Sequence, residues 1–211
     1  MEGTAVRGRL TWQTATVSQL VDETPTVRTI DLQVPDWAGH QAGQHLDIRL
    51  TGDDGYRAER SYSIASAPGE PLAITVERLE DGEVSPYLTE DLRQGDQFEL
   101  RGPIGLYFTW EPGRDTTPLL LVAGGSGVVP LRAILRHRQR SGSDVPARLL
   151  YSSRSLEDVI YRQELDQYQG SAEVRYTLTR RQPPGARGQA LQRGDDRLLP
   201  LRADAPAWLE P

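Results

Sequence analysis

The hydrophobic period of this 211-residue chain changes once, and that change limits what the chain can fold into. Up to about Pro112, apolar and polar residues alternate in short segments bounded by turn signals, the pattern of half-buried strands. Strands are predicted at Ala15–Val21, Thr26–Val34, His45–Leu50, Ser61–Ser66, Leu72–Arg78 and Gln97–Arg101. The turns between them include Asp22-Glu-Thr-Pro25, Gly52-Asp-Asp-Gly55, Ala67-Pro-Gly69 and Asp81-Gly82. One helix is predicted at Ser85–Leu92, with Ser85 as N-cap and Pro86 at the first helical position. Six strands at this spacing predict an antiparallel β-barrel.

Past the Pro/Gly-rich seam Trp110–Pro118 the period is different. Pro118-Leu-Leu-Leu-Val-Ala123 is a continuous apolar strand, as expected in a parallel sheet buried on both faces. A glycine-rich turn follows, then a predicted helix near Val129–Arg140, a strand Ala147–Ser152, a helix near Glu157–Tyr168 and a strand Glu173–Thr179. Alternating strands and helices predict βαβ units, hence an α/β domain after the barrel. The last stretch breaks this pattern. From Ala186 to Pro211, 19 of 26 residues are Ala, Arg, Leu, Pro or Gly, and no strand pattern is visible. The expected organisation is a barrel over 1–112, a partial α/β domain over 113–185 and an atypical tail over 186–211.

Composition narrows the chemistry. All 24 basic residues are arginine, and the chain has no lysine, asparagine or cysteine. That excludes a Schiff-base lysine, a P-loop lysine, a thiolate nucleophile, disulfides, zinc ribbons and cysteine-ligated iron–sulfur clusters. The arginine bias itself fits a GC-rich genome. The formal net charge of −6 divides unevenly: residues 1–112 carry 9 Arg against 19 acids, and the remainder 15 Arg against 11. Two units with different partners are expected from that asymmetry. Nucleic acid is not an expected partner. No signal-peptide pattern is present, and the longest apolar run, Leu119–Ala123, is far shorter than the ~20 residues of a membrane helix. A cytoplasmic protein that does not engage a membrane is the expectation. His40, His45 and His137 have no metal-ligand spacing, need no catalytic role and are expected at the surface or the barrel edge.

Four stretches carry candidate chemistry. In Arg60-Ser-Tyr-Ser-Ile-Ala-Ser-Ala-Pro68, alternation puts Arg60, Tyr62 and Ile64 on one face and Ser61 and Ser63 on the other. A guanidinium binds phosphate bidentately and a tyrosine stacks on a flat heteroaromatic ring. Glu77-Arg-Leu-Glu-Asp-Gly-Glu-Val-Ser85 joins a strand to a glycine turn and a helix start, a place suited to an anion. Val122-Ala-Gly-Gly-Ser-Gly-Val-Val-Pro130 sets a glycine-rich turn between a buried strand and a helix, where a pyrophosphate can approach the backbone. Tyr151-Ser-Ser-Arg-Ser155 lies at the carboxyl end of a parallel strand, where α/β sheets bind ligands. Singly, each is also explained by a surface arginine, an ordinary capped helix, a bare turn or an N-cap.

As an ordered set the motifs resemble the ferredoxin–NADP reductase superfamily of flavin oxidoreductases, over about Thr11 to Thr179. The resemblance rests on Arg-x-Tyr-Ser, Gly-x-x-Ser, Gly102-Pro-Ile-Gly105 and Gly-Gly-x-Gly-x-x-Pro in family order. It implies a flavin-binding antiparallel barrel followed by a nicotinamide-nucleotide-binding α/β domain. It implies that Arg60 pairs with the flavin phosphate, that Tyr62 packs on the isoalloxazine, and that Ser63 hydrogen-bonds near the hydride-accepting N5, with Ser61 beside them. Tyr62 and Ser63 are then the candidate catalytic pair. Gly82, Val84 and Ser85 would hold the flavin pyrophosphate. Gly124, Gly125, Gly127 and Pro130 would form the nicotinamide-nucleotide loop. Ser153 and Arg154 would lie near the adenosine ribose, where arginine favours NADPH over NADH, and Thr179 and Arg180 on the nucleotide side of the third strand.

The sequence also departs from the family. It lacks a Cys-Gly-Pro segment and a C-terminal aromatic or acidic segment over the flavin, and it carries no iron–sulfur domain. Truncation or a frameshift after about Gly185 is the expectation from the tail's composition. The implied function is an NAD(P)H-dependent reductase with FAD, or FMN, passing electrons to a protein such as a ferredoxin or an oxygenase component. The alternative is a flavin-binding, non-catalytic subunit or remnant. A phosphate-binding α/β protein unrelated to flavin is a third reading.

Overall fold

The structure is a computed structural model that describes residues 10–168 and 171–180. Six strands build an antiparallel sheet: β1 (Gln13–Thr24), β2 (Val27–Gln33), β3 (His45–Thr51), β4 (Arg57–Ser63), β5 (Leu72–Glu77) and β6 (Gln97–Ile104). Their order is β4-β3-β6-β1-β2-β5, and an Ile64–Ile74 bridge joins the two outer strands, closing the sheet into a barrel. Alternation fills its interior with Ile30, Leu46, Ile48, Ile64, Ile74, Val76 and Leu100. Beyond it, β7 (Leu119–Gly124), β8 (Ala147–Ser153) and β9 (Glu173–Leu178) form a parallel sheet, with α1 (Val128–Arg140) after β7 and α2 (Arg162–Gln167) before β9. The barrel followed by an α/β sheet is the predicted architecture.

Several predicted elements are corrected. β4 begins at Arg57, four residues before the predicted start, because Arg57–Ser63 pairs along the whole of β3. The helix predicted at Ser85–Leu92 is present over Ser85–Asp91, with Tyr87–Asp91 widened into a π-type turn, but it has no side-chain cap. Ser85 does not cap it; its hydroxyl accepts from the Leu79 N–H at 3.1 Å and so closes the preceding turn. The helix predicted near Glu157 begins only at Arg162, because the Asp158 carboxylate takes the Ser155 hydroxyl at 2.7 Å and folds this stretch as a turn. β7 is not buried on both faces. Leu121 and Ala123 are buried, whereas Leu120 and Val122 are 56% and 65% exposed. Among the described residues β7 is an outer strand, and the described helices cover one face of the sheet.

The two units share one apolar core. Val27, Ala42, Ala65, Ala73 and Trp110 from the barrel side pack with Leu121, Val128, Leu131, Tyr151 and Tyr161. β5 is therefore covered twice: Leu72, Ile74 and Val76 face the barrel interior, while Ala73 and Thr75 face the second unit. At the centre lies Arg132, 8% exposed. It donates to the Ala65 carbonyl at 3.0 Å and to the Glu164 carboxylate at 2.9 and 2.7 Å. Its guanidinium also lies 4.4 Å from the centroid of the Tyr161 ring. Tyr161 has a left-handed backbone (φ 59°), a strain of about 1–3 kcal/mol for a non-glycine residue. Its burial, the arginine over its ring and its hydroxyl bond to Thr75 hold it there.

His40 and His137 are partly buried and tied into the fold. His40 bonds the Ser66 carbonyl at 3.0 Å and accepts from Trp37, and His137 packs edge-on against Trp110. Burial pushes both below the ordinary imidazole value of 6.5. The unfolded chain therefore takes up protons that the folded chain refuses, and stability falls as pH drops below about 6.5. His40→Gln is expected to flatten that decline in thermal unfolding between pH 7.5 and 5. Arg132→Ala is expected to cost about 3 kcal/mol in urea unfolding, since Glu164 loses its buried partner.

Candidate functional site

The connections at the ends of β4, β5 and β7 converge on two clefts. The first has a volume of about 400 Å³ and is lined by Arg60, Ser61, Tyr62 and Ser63 from β4 and by Gly82, Val84 and Ser85 from the turn after β5. Gly127 and Ser126 from the second unit complete its wall. The second, of about 310 Å³, is lined by Gly124, Gly125, Ser153, Arg154 and Thr179. Glu77, the last residue of β5, lines both. Arg180 borders a smaller recess with Arg154, and Pro130 lines neither main cleft. Pro130 is the third residue of α1, where the absent N–H had no helical partner to lose.

Local chemistry explains each wall. Opposite β4, Leu46 and Ile48 lie across from Tyr62 and Arg60, so those two share the barrel-facing side of the strand. On the other side Ser61 donates to Asp47 at 2.6 Å, which commits its hydroxyl away from Arg60 and Tyr62. Arg60 is half-exposed and donates to Glu83 at 3.1 Å and to the Glu59 carbonyl at 2.7 Å. Tyr62 is partly covered, and desolvation pushes its phenol up to about 12, so it is neutral across the physiological range. Gly82 permits the tight turn: a Cβ there would stand 2.7 Å from the Ser85 hydroxyl and 3.0 Å from the Leu79 carbonyl.

The glycine turn at the end of β7 is open. A Cβ on Gly124 or Gly127 would meet nothing within 4 Å, so the space over that backbone is free for a ligand. Gly125 has φ +50°, which turns the chain into α1. Arg154 follows β8 and is held by Asp158 at 3.4 Å and by Glu77 at 3.9 Å. Among the described residues no group of three or more His, Asp or Glu could hold a metal ion.

Thus the predicted site residues fall into two sets, Arg60–Ser63 with Gly82–Ser85, and the glycine turn with Ser153, Arg154 and Thr179. Sequence reasoning missed Glu77, Glu83, Ser126 and Asp158. Ser126 lies inside the glycine turn, and the three carboxylates reach Arg60, Ser126 and Arg154 through space, which nothing in a linear pattern shows. The residues fit a flavin and a nicotinamide nucleotide. A half-exposed guanidinium held by a surface carboxylate and one backbone carbonyl, a wall containing a half-buried neutral tyrosine and open glycine backbone are what phosphates and flat rings require.

Two family models match successive parts of the chain. Residues 14–109 match the oxidoreductase FAD-binding domain and residues 121–196 the oxidoreductase NAD-binding domain. Ferredoxin–NADP reductase B of Sorangium cellulosum is 40% identical over 160 residues, 74% of this chain and 64% of the relative. NADH oxidoreductase HCR of Escherichia coli is 32% identical over 154 residues, 72% of this chain and 47% of the relative. The flavohaem-like FAD/NAD-binding domain of nitric oxide dioxygenase from Vibrio cholerae superposes with a TM-score of 0.75 at 25% identity, covering 87% of this chain and 81% of that one. The chain belongs to the ferredoxin reductase-like family of FAD- and NAD(P)-binding oxidoreductases. It spans less than two thirds of the length of either sequence relative.

Ser85→Ala removes the acceptor of the Leu79 N–H and is expected to destabilise the barrel by about 1 kcal/mol in urea unfolding.

Proposed function

We propose that the chain is the flavin- and nicotinamide-binding part of an NAD(P)H-dependent reductase that hands electrons to a protein acceptor, with the barrel as flavin unit over 1–112 and the nucleotide unit beginning at 113. The observation that carries this reading is that the Arg60–Ser63 wall and the glycine turn border neighbouring clefts that meet at one residue, Glu77. Cofactor and hydride donor are thereby brought side by side.

A bound flavin would supply a ring nitrogen able to accept one hydride and a ring able to release the two electrons singly. The protein's part is binding and orientation. Arg60 offers its guanidinium to the flavin phosphate in exchange for Glu83. Tyr62 provides a flat wall, and its neutral phenol adds no charge beside the ring. Ser63 supplies a hydroxyl partner for the ring edge. Gly82, Val84 and Ser85 bring backbone close to the pyrophosphate. A groove of about 650 Å³ shares Glu83 with the flavin cleft and includes Tyr56 and Tyr87, room that favours FAD over the shorter FMN. On the other side, Gly124, Gly125 and Gly127 present the nucleotide loop, and Ser153, Arg154, Thr179 and Arg180 the ribose end.

The acceptor is proposed to be a ferredoxin or an oxygenase component, in keeping with the ferredoxin partner in the name of the relative that is 40% identical. No helix among the described residues is long and apolar enough to cross a membrane. A second reading, a flavin-binding unit that does not turn over nicotinamide, is favoured by the charge of the nucleotide cleft, where Glu77 and Asp158 outnumber Arg154.

Anaerobic addition of NADPH or NADH to the flavin-loaded protein tests both. Bleaching of the flavin absorbance is expected; retained colour supports the binding unit, and failure to retain flavin at all overturns both. Arg60→Ala is expected to weaken flavin binding about tenfold, measured by fluorescence titration, through loss of a charge-assisted phosphate contact.

A further inference from the structure

The glycine turn is already engaged by an anion of the protein's own. The Glu77 carboxylate accepts the Ser126 backbone N–H at 3.3 Å, one of the donors that a turn of this kind offers to phosphate. The same oxygen would lie 3.5 Å from a Cβ on Gly125, so it sits close over the turn. Its second oxygen is 3.9 Å from Arg154, which Asp158 also holds. Glu77, Asp158 and Arg154 are the charged residues lining this cleft, and their sum is −1.

From this arrangement we infer that Glu77 is a resident occupant of the nucleotide's anion seat and sets how tightly the seat takes an incoming pyrophosphate. The inference rests on the proposed nucleotide cleft. A pyrophosphate and a carboxylate cannot both take the Ser126 N–H, and like charges brought together in a partly enclosed cleft repel. Each nucleotide therefore has to displace Glu77 from the turn and withdraw Arg154 from it. Because the turn is common to both nicotinamide dinucleotides, the effect applies to NAD+ and NADP+ alike. That makes Glu77 an affinity-determining residue for the hydride donor.

Glu77→Gln keeps the size and an acceptor oxygen for Ser126 while removing the charge. Isothermal titration of the flavin-loaded full chain with NAD+ and NADP+, neither of which can reduce an oxidised flavin, reads the effect without turnover. About three- to tenfold tighter binding of both is expected for Glu77→Gln, with a steeper loss of affinity as salt rises, because an uncharged seat no longer opposes the ligand. Glu80→Gln removes the same charge from an exposed position on the turn after β5 and is expected to leave both dissociation constants within twofold. Equal dissociation constants and equal salt slopes for wild type and Glu77→Gln overturn the role of Glu77 while leaving the cleft a nucleotide site. Absence of binding by both proteins at millimolar nucleotide overturns the cleft assignment and the Glu77 inference together.

Discussion

The relative placement of the two clefts depends on one buried guanidinium. Arg132 reaches from α1 to the Ala65 carbonyl of the barrel and to Glu164 of α2, and lies over Tyr161. A buried charge is tolerable only when its donors are met, and here three N–H groups are given fixed acceptors. The geometry leaves α1 one orientation against the barrel. Since the glycine turn leads directly into α1, that turn is fixed against the end of β5. Glu70 adds two outer ties, at 2.9 Å to Arg136 and 3.1 Å to Arg140, along the same face of the helix. Those outer pairs add little individually; the inner one sets the register.

A common electrostatic theme runs through both clefts. Glu83 holds Arg60 and Glu77, which lines both clefts, holds the Ser126 amide, so twice a carboxylate takes a group otherwise suited to phosphate. Neither pairing is strong, being partly exposed in the first case and long in the second. Such contacts keep polar groups satisfied without closing the cleft. Two of the acids of the barrel half are thus engaged at the clefts, one on an arginine and one on a backbone amide.

Much of this was legible from the chain. The switch from a period of two to strand–helix alternation located both sheets, since alternation is imposed directly by which side of each strand is buried. The Arg60–Ser63 and Gly124–Gly127 stretches stood out because their residue types have few substitutes for phosphate approach. Illegible were features set by tertiary closure. Nothing near Ser85 says that its hydroxyl goes back to Leu79 rather than forward to a helix. Leu120 and Val122 look as buried as Leu121 in the sequence, because an outer strand and an inner one share a composition. Glu77 is one acid among many until β5 ends beside the glycine turn.

The closure of the first sheet has a consequence for the order of events in a cell. Every strand of the barrel lies between Gln13 and Ile104, and the Ile64–Ile74 bridge joins its ends without any residue of the second unit. A nascent chain emerges amino-terminus first, and such units fold as they appear. In that order of synthesis the Ala65 carbonyl and the Thr75 hydroxyl precede Arg132 and Tyr161, so the sheet that closes on itself is made before the two side chains that dock on it.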